Sequence, residues 1–148
     1  MRQSLLASFV FLGFVLFGSI SQVSALTIEE LPASQSSKQW LIEIGKVDAK
    51  EPTLNKGKDG MFNTYSMTIK STGVEDVKNV RVEAFRDEPN SATRYELFTS
   101  EGNKLLEEGN PFHFSNFPIS VNAKELEVVI TWSKGDSDRK CKERFVFN

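Results

Sequence analysis

Apolar side chains recur at every second position in several separate stretches of the chain. Trp40, Ile42 and Ile44 alternate with Leu41 and Glu43, and Tyr65, Met67 and Ile69 alternate with Ser66, Thr68 and Lys70. Val80, Val82 and Ala84 alternate with Arg81 and Glu83. Leu126, Val128, Ile130 and Trp132 alternate with Glu127, Val129 and Thr131. Near the end, Cys141, Phe145 and Phe147 share one parity, and Lys140, Lys142, Arg144 and Val146 share the other. Successive strand side chains point to opposite faces, so each stretch predicts a strand with one apolar and one wet face. Their β-branched and aromatic content fits that geometry. Glu143 falls on the apolar side of the last stretch, which predicts that its part of the strand is open to water.

The breaks between these stretches carry turn residues. Lys56-Gly57-Lys58-Asp59-Gly60, Ser71-Thr72-Gly73, Asp87-Glu88-Pro89-Asn90-Ser91 and Lys134-Gly135-Asp136 supply the Gly, Pro, Asn and Asp that bend a chain. Further strands are expected around Tyr95 to Leu97 and Phe112 to Phe114. Lys104 to Glu108 is too short to hold as a helix between Gly102 and Gly109. Long helices do not alternate with the strands, which disfavours a parallel sheet. The pattern predicts an all-β, antiparallel β-sandwich of about seven strands.

The start of the chain has a different pattern. Arg2 is the sole charge before Glu29, an apolar run spans Leu5 to Phe17, and Val23-Ser24-Ala25 offers small side chains at an exit site. These are the three parts of a secretory signal peptide, expected over residues 1–25. The competing reading is a retained anchor, for which the run is short against the roughly 20 residues that a bilayer core requires. Residues 26–38 are polar and are expected to form a flexible lead, with the sandwich over 39–148.

Composition narrows the picture. Cleavage after Ala25 leaves 123 residues, enough for one domain, with 17 basic against 20 acidic side chains. That mild acidity argues against a nucleic-acid footprint. Cys141 is the only thiol, so the fold has no internal disulfide. It is read either as a small buried apolar residue or as a reactive thiol flanked by Arg139, Lys140, Lys142 and Arg144.

The stretch Thr64 to Asp87 resembles the first hairpin of small bacterial immunoglobulin-like domains. Ser71-Thr72-Gly73 stands where such domains turn, and Val77-Lys78-Asn79-Val80-Arg81-Val82 stands where their next strand begins. Leu126 to Phe147 is similar to their closing hairpin, so the likeness spans about half of the mature chain. The resemblance implies an immunoglobulin-like sandwich of the disulfide-free kind. It also implies an adhesion, spacer or ligand-recognition role, although a fold does not by itself carry a function.

Candidate chemistry is sparse. His113, the only histidine, lies between Phe112 and Phe114 on the opposite strand face, with no local sign of a nucleophile and an orienting carboxylate. One Cys and one His do not make a zinc site, and Asp136-Ser137-Asp138 lacks the rest of a calcium loop. Neither Glu107-Glu108 nor Glu127 is placed for paired-carboxylate hydrolysis, and no phosphate-binding glycine motif is present. We therefore expect no catalytic residue, no cofactor and no metal.

Two surface features remain. Arg139, Lys140, Lys142 and Arg144 form a basic row that either guards a sheet edge or docks an anionic polymer or partner. Phe112, Phe114 and Phe117, beside Pro111 and Pro118, either fill the core or form an exposed aromatic patch. Phe85 and Phe98 pose the same question, because their parity differs from that of Val82, Ala84, Tyr95 and Leu97. The resulting expectation is a non-catalytic, secreted or cell-envelope interaction module. Its partner would be a protein or an envelope polymer, with no nucleic acid and no membrane span after cleavage. Two rival roles are a secreted protease inhibitor using the loops Asn55 to Gly60 or Glu88 to Ala92, and a structural envelope component.

Overall fold

The computed structural model describes residues 28, 31–47, 50, 60–74, 76–88, 91–102, 112–135 and 137–148. The expected signal peptide, Leu105, Glu107-Glu108, Pro111, Asp136 and most of the Asn55 to Gly60 loop lie outside them.

The described residues form eight strands: β1 (Ala33–Ser36), β2 (Trp40–Lys46), β3 (Phe62–Ser71), β4 (Val77–Asp87), β5 (Arg94–Gly102), β6 (Phe112–Ser120), β7 (Leu126–Lys134) and β8 (Lys140–Phe147). They make two four-stranded sheets, ordered β1-β2-β3-β6 and β5-β4-β7-β8. Every pairing is antiparallel. The chain changes sheet at β3–β4, β5–β6 and β6–β7. The all-β antiparallel sandwich expected from the alternation is therefore what the chain adopts.

The predicted apolar faces meet in one core. Trp40, Ile42, Ile44, Met67, Ile69, Val82, Ala84, Leu126, Val128 and Ile130 are all fully buried. Trp40 of β2 and Trp132 of β7 join the sheets edge to face, with ring centroids 5.5 Å apart and planes at 75°. This geometry sets the positive ring edge against the negative face.

The strand beyond the expected seven is β1. It arises inside the stretch expected as a flexible lead, which is corrected here: Ala33–Ser36 pairs with Leu41 to Ile44 of β2. Ladder pairing uses the main chain, so a polar segment can add a strand without an apolar face of its own. Ile28, Leu31 and Ala33 also pack against the core.

The ladders carry three β-bulges, and two of them explain where the aromatics face. Tyr65 pairs with Phe117 and Met67 with Phe114, so Ser115 and Asn116 together face Ser66. That extra residue turns both Phe114 and Phe117 inward despite their opposite parity. Between Ala84 and Phe85 the pairing with β5 skips Leu97, which brings Phe98 onto the core side. Phe98 stacks on Phe114 at 4.1 Å and meets Phe117 edge-on at 5.7 Å, closing the seam between β5 and β6. The possible aromatic patch is thus corrected: Phe112 and Phe117 are each 3% exposed, and Phe114 packs against the core.

The third bulge lies on β4, where Lys78 pairs with Ser133 but Arg81 with Thr131. Asn79 sits there with φ 51°, a left-handed conformation that Asn tolerates and β-branched residues do not. Nearby, the turn after β3 needs glycine for space: a Cβ on Gly73 would lie 2.9 Å from the Gln39 Cα and 2.0 Å from its Oε1. Gln39 is 4% exposed, and its carbonyl accepts hydrogen bonds from the Thr72 and Gly73 amides, so the two segments cannot part cheaply.

Three outcomes are expected. Gly73→Ala should lower unfolding stability by about 1–3 kcal/mol, the usual overpacking range, as read from the urea midpoint. Asn79 is exposed, so its substitutions report the backbone alone. Asn79→Gly should be near neutral, while Asn79→Val should cost about 1–2 kcal/mol in the same measurement.

Candidate functional site

β8 is an end strand of the second sheet, bordered on one side by β7. The β7–β8 ladder runs without a register shift from Leu126↔Phe147 to Ser133↔Lys140. Its parity puts Cys141, Phe145 and Phe147 toward the core and Lys140, Lys142, Arg144 and Val146 on the outer face. Lys140, Lys142 and Arg144 are exposed, as the basic row requires. Arg139 precedes the strand, and its amide donates to Ser137 Oγ at 3.1 Å.

The row is not electrostatically uniform. Arg144 bonds Glu127 at 2.8 Å through Nε and Glu125 at 3.1 Å through Nη2. Arg94, at the start of β5, reaches the same two carboxylates, with Nη1 2.7 Å from Glu125 Oε1 and a further contact to Glu127 Oε2. Two guanidinium groups and two carboxylates thus tie β5, β7 and β8 across the outer face of β4. Asp87 steadies this group, because its Oδ1 accepts the Lys124 and Glu125 amides at 2.7 and 2.9 Å. The Arg144 and Arg94 guanidinium groups hold the Glu127 carboxyl below the usual carboxylate range, the Arg144 hydrogen bond contributing most. Arg144 is correspondingly raised by its hydrogen bond to Glu127.

Lys140 and Lys142 differ from Arg144: among the described residues neither makes an ion pair. Lys140 borders a shallow cleft of about 320 Å³, whose lining includes Asn79, Arg81, Glu101, Thr131 and Ser133. Arg81 is held there by Glu83 at 2.9 Å and by Glu101. Glu143 stands between the core residues, opposite Ile130, and its Oε2 is buried without a hydrogen bond among the described residues.

The edge is also tied at one point. The Gln35 side-chain amide, on β1 of the other sheet, donates to the Val146 carbonyl of β8. This closes the seam between β1 and β8, opposite the aromatic seam between β5 and β6.

The structure does not bring Cys141 and His113 together. His113 lies on the outer face of the first sheet, with Nδ1 3.2 Å from Thr68 Oγ1, while Cys141 faces the core from the second sheet. Among the described residues no group of three or more His, Cys, Asp or Glu side chains could hold a metal ion. No helix among them is long and apolar enough to cross a membrane. Sequence reasoning found the basic row but missed Arg94 and Glu125 as its counterweights. Alternation assigns a face to a residue; it does not say which residues on that face are neighbours across strands.

Residues 24–148 match the family model described as YozF-like secreted protein. The chain belongs to that family. A curated relative, "Uncharacterized protein YozF" of Bacillus subtilis (strain 168), is 35% identical over 142 residues, covering 86% of this chain and 84% of its own. The family's description agrees with the extracytoplasmic location expected from the leader. It also replaces the broader immunoglobulin-like resemblance as the family assignment.

The Glu127 site has a defined acid response. Its folded pKa is depressed, so its contribution is complete above the ordinary carboxylate value of about 4.3 and disappears as pH falls through the lower folded value. Glu127→Gln should reduce stability at pH 7 by no more than about 1 kcal/mol, since these pairs are solvent-screened. It should also make the decline in thermal midpoint between pH 5 and 3 (roughly) shallower than in the parent chain.

Proposed function

We propose that this secreted protein is a non-catalytic interaction domain that engages a protein partner along the β8 edge. The observation that carries the reading is the pair Lys140 and Lys142: exposed on an end strand, and without an acidic partner among the described residues. An end strand presents main-chain donors and acceptors to a second chain, and strand addition uses them directly. In this reading the sandwich serves as the rigid frame of an immunoglobulin-like recognition module, with neither a cofactor nor nucleic acid involved. The separation of Cys141 from His113 supports a role without nucleophilic catalysis.

Self-assembly through this edge is disfavoured. A second β8 in antiparallel register would set Lys and Arg side chains against one another, which destabilises a cross-strand pair. The edge is thus suited to a different chain.

The test is affinity capture from the native envelope with the mature chain as bait. Lys142→Pro removes one edge N–H at a position where an end strand tolerates proline. The variant should keep its circular dichroism spectrum and lose retained partner by at least about tenfold, equivalent to about 1.4 kcal/mol. Cys141→Ser should retain the partner. Equal capture by the parent chain and Lys142→Pro would sink the edge reading.

A further inference from the structure

We infer that the open part of β8 accepts an extended acidic peptide segment, in which two acidic residues separated by one residue are flanked by a hydrogen-bond donor. This deepens the edge reading above and depends on it.

The main chain defines the site. Val146 directs its carbonyl away from β7, because it accepts from Gln35 of the other sheet. In an antiparallel ladder, residues that point away from the partner recur at every second position. The unbroken register of β8 therefore gives Arg144, Lys142 and Lys140 the same outward N–H and C=O groups. Gln35 blocks the edge at Val146, so the open stretch runs from Lys140 to Arg144, about 17 Å at strand spacing.

The side chains define the chemistry. Lys140 and Lys142 present positive charge on the outer face, and neither is neutralised among the described residues. Arg144 adds little, because Glu125 and Glu127 already hold it. An added strand would place alternate residues beside Lys140 and Lys142, and those residues should be Asp or Glu.

Glu143 supplies an independent observation. Its side chain is on the core-side parity, and its buried Oε2 lacks a hydrogen bond among the described residues. A buried acceptor without a donor is costly. The residue laid opposite Glu143 would share its face, and a Ser or Thr hydroxyl there would donate to Oε2. In antiparallel register the segment reads donor, acid, any residue, acid, opposite Glu143, Lys142, Cys141 and Lys140 respectively.

These groups favour a peptide over a polyanion. A phosphodiester polymer would satisfy the lysines but lacks the regularly spaced N–H and C=O groups that match a strand edge. A peptide strand offers both the charge and the main-chain match, with a side-chain hydroxyl for Glu143.

The experiment is an NMR titration of the ¹⁵N-labelled mature chain with the capped peptide Thr-Glu-Val-Glu-Thr, which presents the same pattern in either strand direction. Saturable shifts confined to the Lys140 to Arg144 amides and their β7 neighbours are expected, with slowed amide exchange at Lys142. Thr-Lys-Val-Lys-Thr should give none. Replacing both Thr by Val, or Lys142 by Pro, should weaken binding at least about tenfold, the scale of one well-placed hydrogen bond or ion pair. The inference is overturned by absence of shifts at about 10 mM peptide, a concentration that detects affinities weaker than 1 mM. It is equally overturned if inorganic polyphosphate produces the same shifts and displaces the peptide. Should the peptide fail while envelope capture still depends on Lys142→Pro, the acidic chemistry falls and the edge reading stands.

Discussion

The two sheets are held face to face by side-chain packing, in a chain whose single thiol cannot form an internal cross-link. Every other feature depends on that packing being continuous. Trp40 and Trp132 join the two sheets edge to face, and the same core holds the fully buried Ile42, Ile44, Ile69, Val82, Val128 and Ile130. Burial of an aliphatic side chain of this kind contributes about 1.5–3 kcal/mol, and these contributions must together offset the entropy of ordering the chain. The outer faces can therefore carry charge freely, because they are not needed to hold the sheets together.

The sandwich has two seams, and they are closed by different chemistry. On one side Phe98, Phe114 and Phe117 interlock between β5 and β6. On the other, a single amide of Gln35 reaches the Val146 carbonyl between β1 and β8. The first seam is apolar and packed with rings. The second is polar and fastened at one end, and it borders the lysine-bearing half of β8. The difference between the seams accords with looking for recognition at the edge that carries Lys140 and Lys142.

Much of this was legible in the alternation of side chains. The strands containing Trp40, Tyr65, Val80, Leu126 and Phe145 follow a period of two, and the core residues they imply are buried as expected. The basic row on β8 was also visible, because it occupies one parity of a regular strand. What could not be read were the features set by the main chain. β1 has no apolar signature, since its pairing with β2 comes from peptide groups. Phe98 looked out of parity because a bulge at Leu97 shifts the phase within β5, and a second bulge at Ser115-Asn116 decides that Phe117 fills the core. The Arg94–Glu125–Glu127–Arg144 cluster joins residues far apart in sequence, and only the strand order makes them neighbours.

The bulge at Ser115-Asn116 also constrains how relatives can differ in length. Removing one residue there would restore a regular ladder and leave Phe114, Phe117 and Ile119 all facing the interior, whereas a single gain or loss between Phe117 and Ile119 would turn Ile119 to solvent or force β6 to slide against β3. Elsewhere in β6, gains and losses are therefore tolerable in pairs. Single-residue gaps among family members should collect at this bulge and in the connections between strands, where they leave the facing of the core residues unchanged.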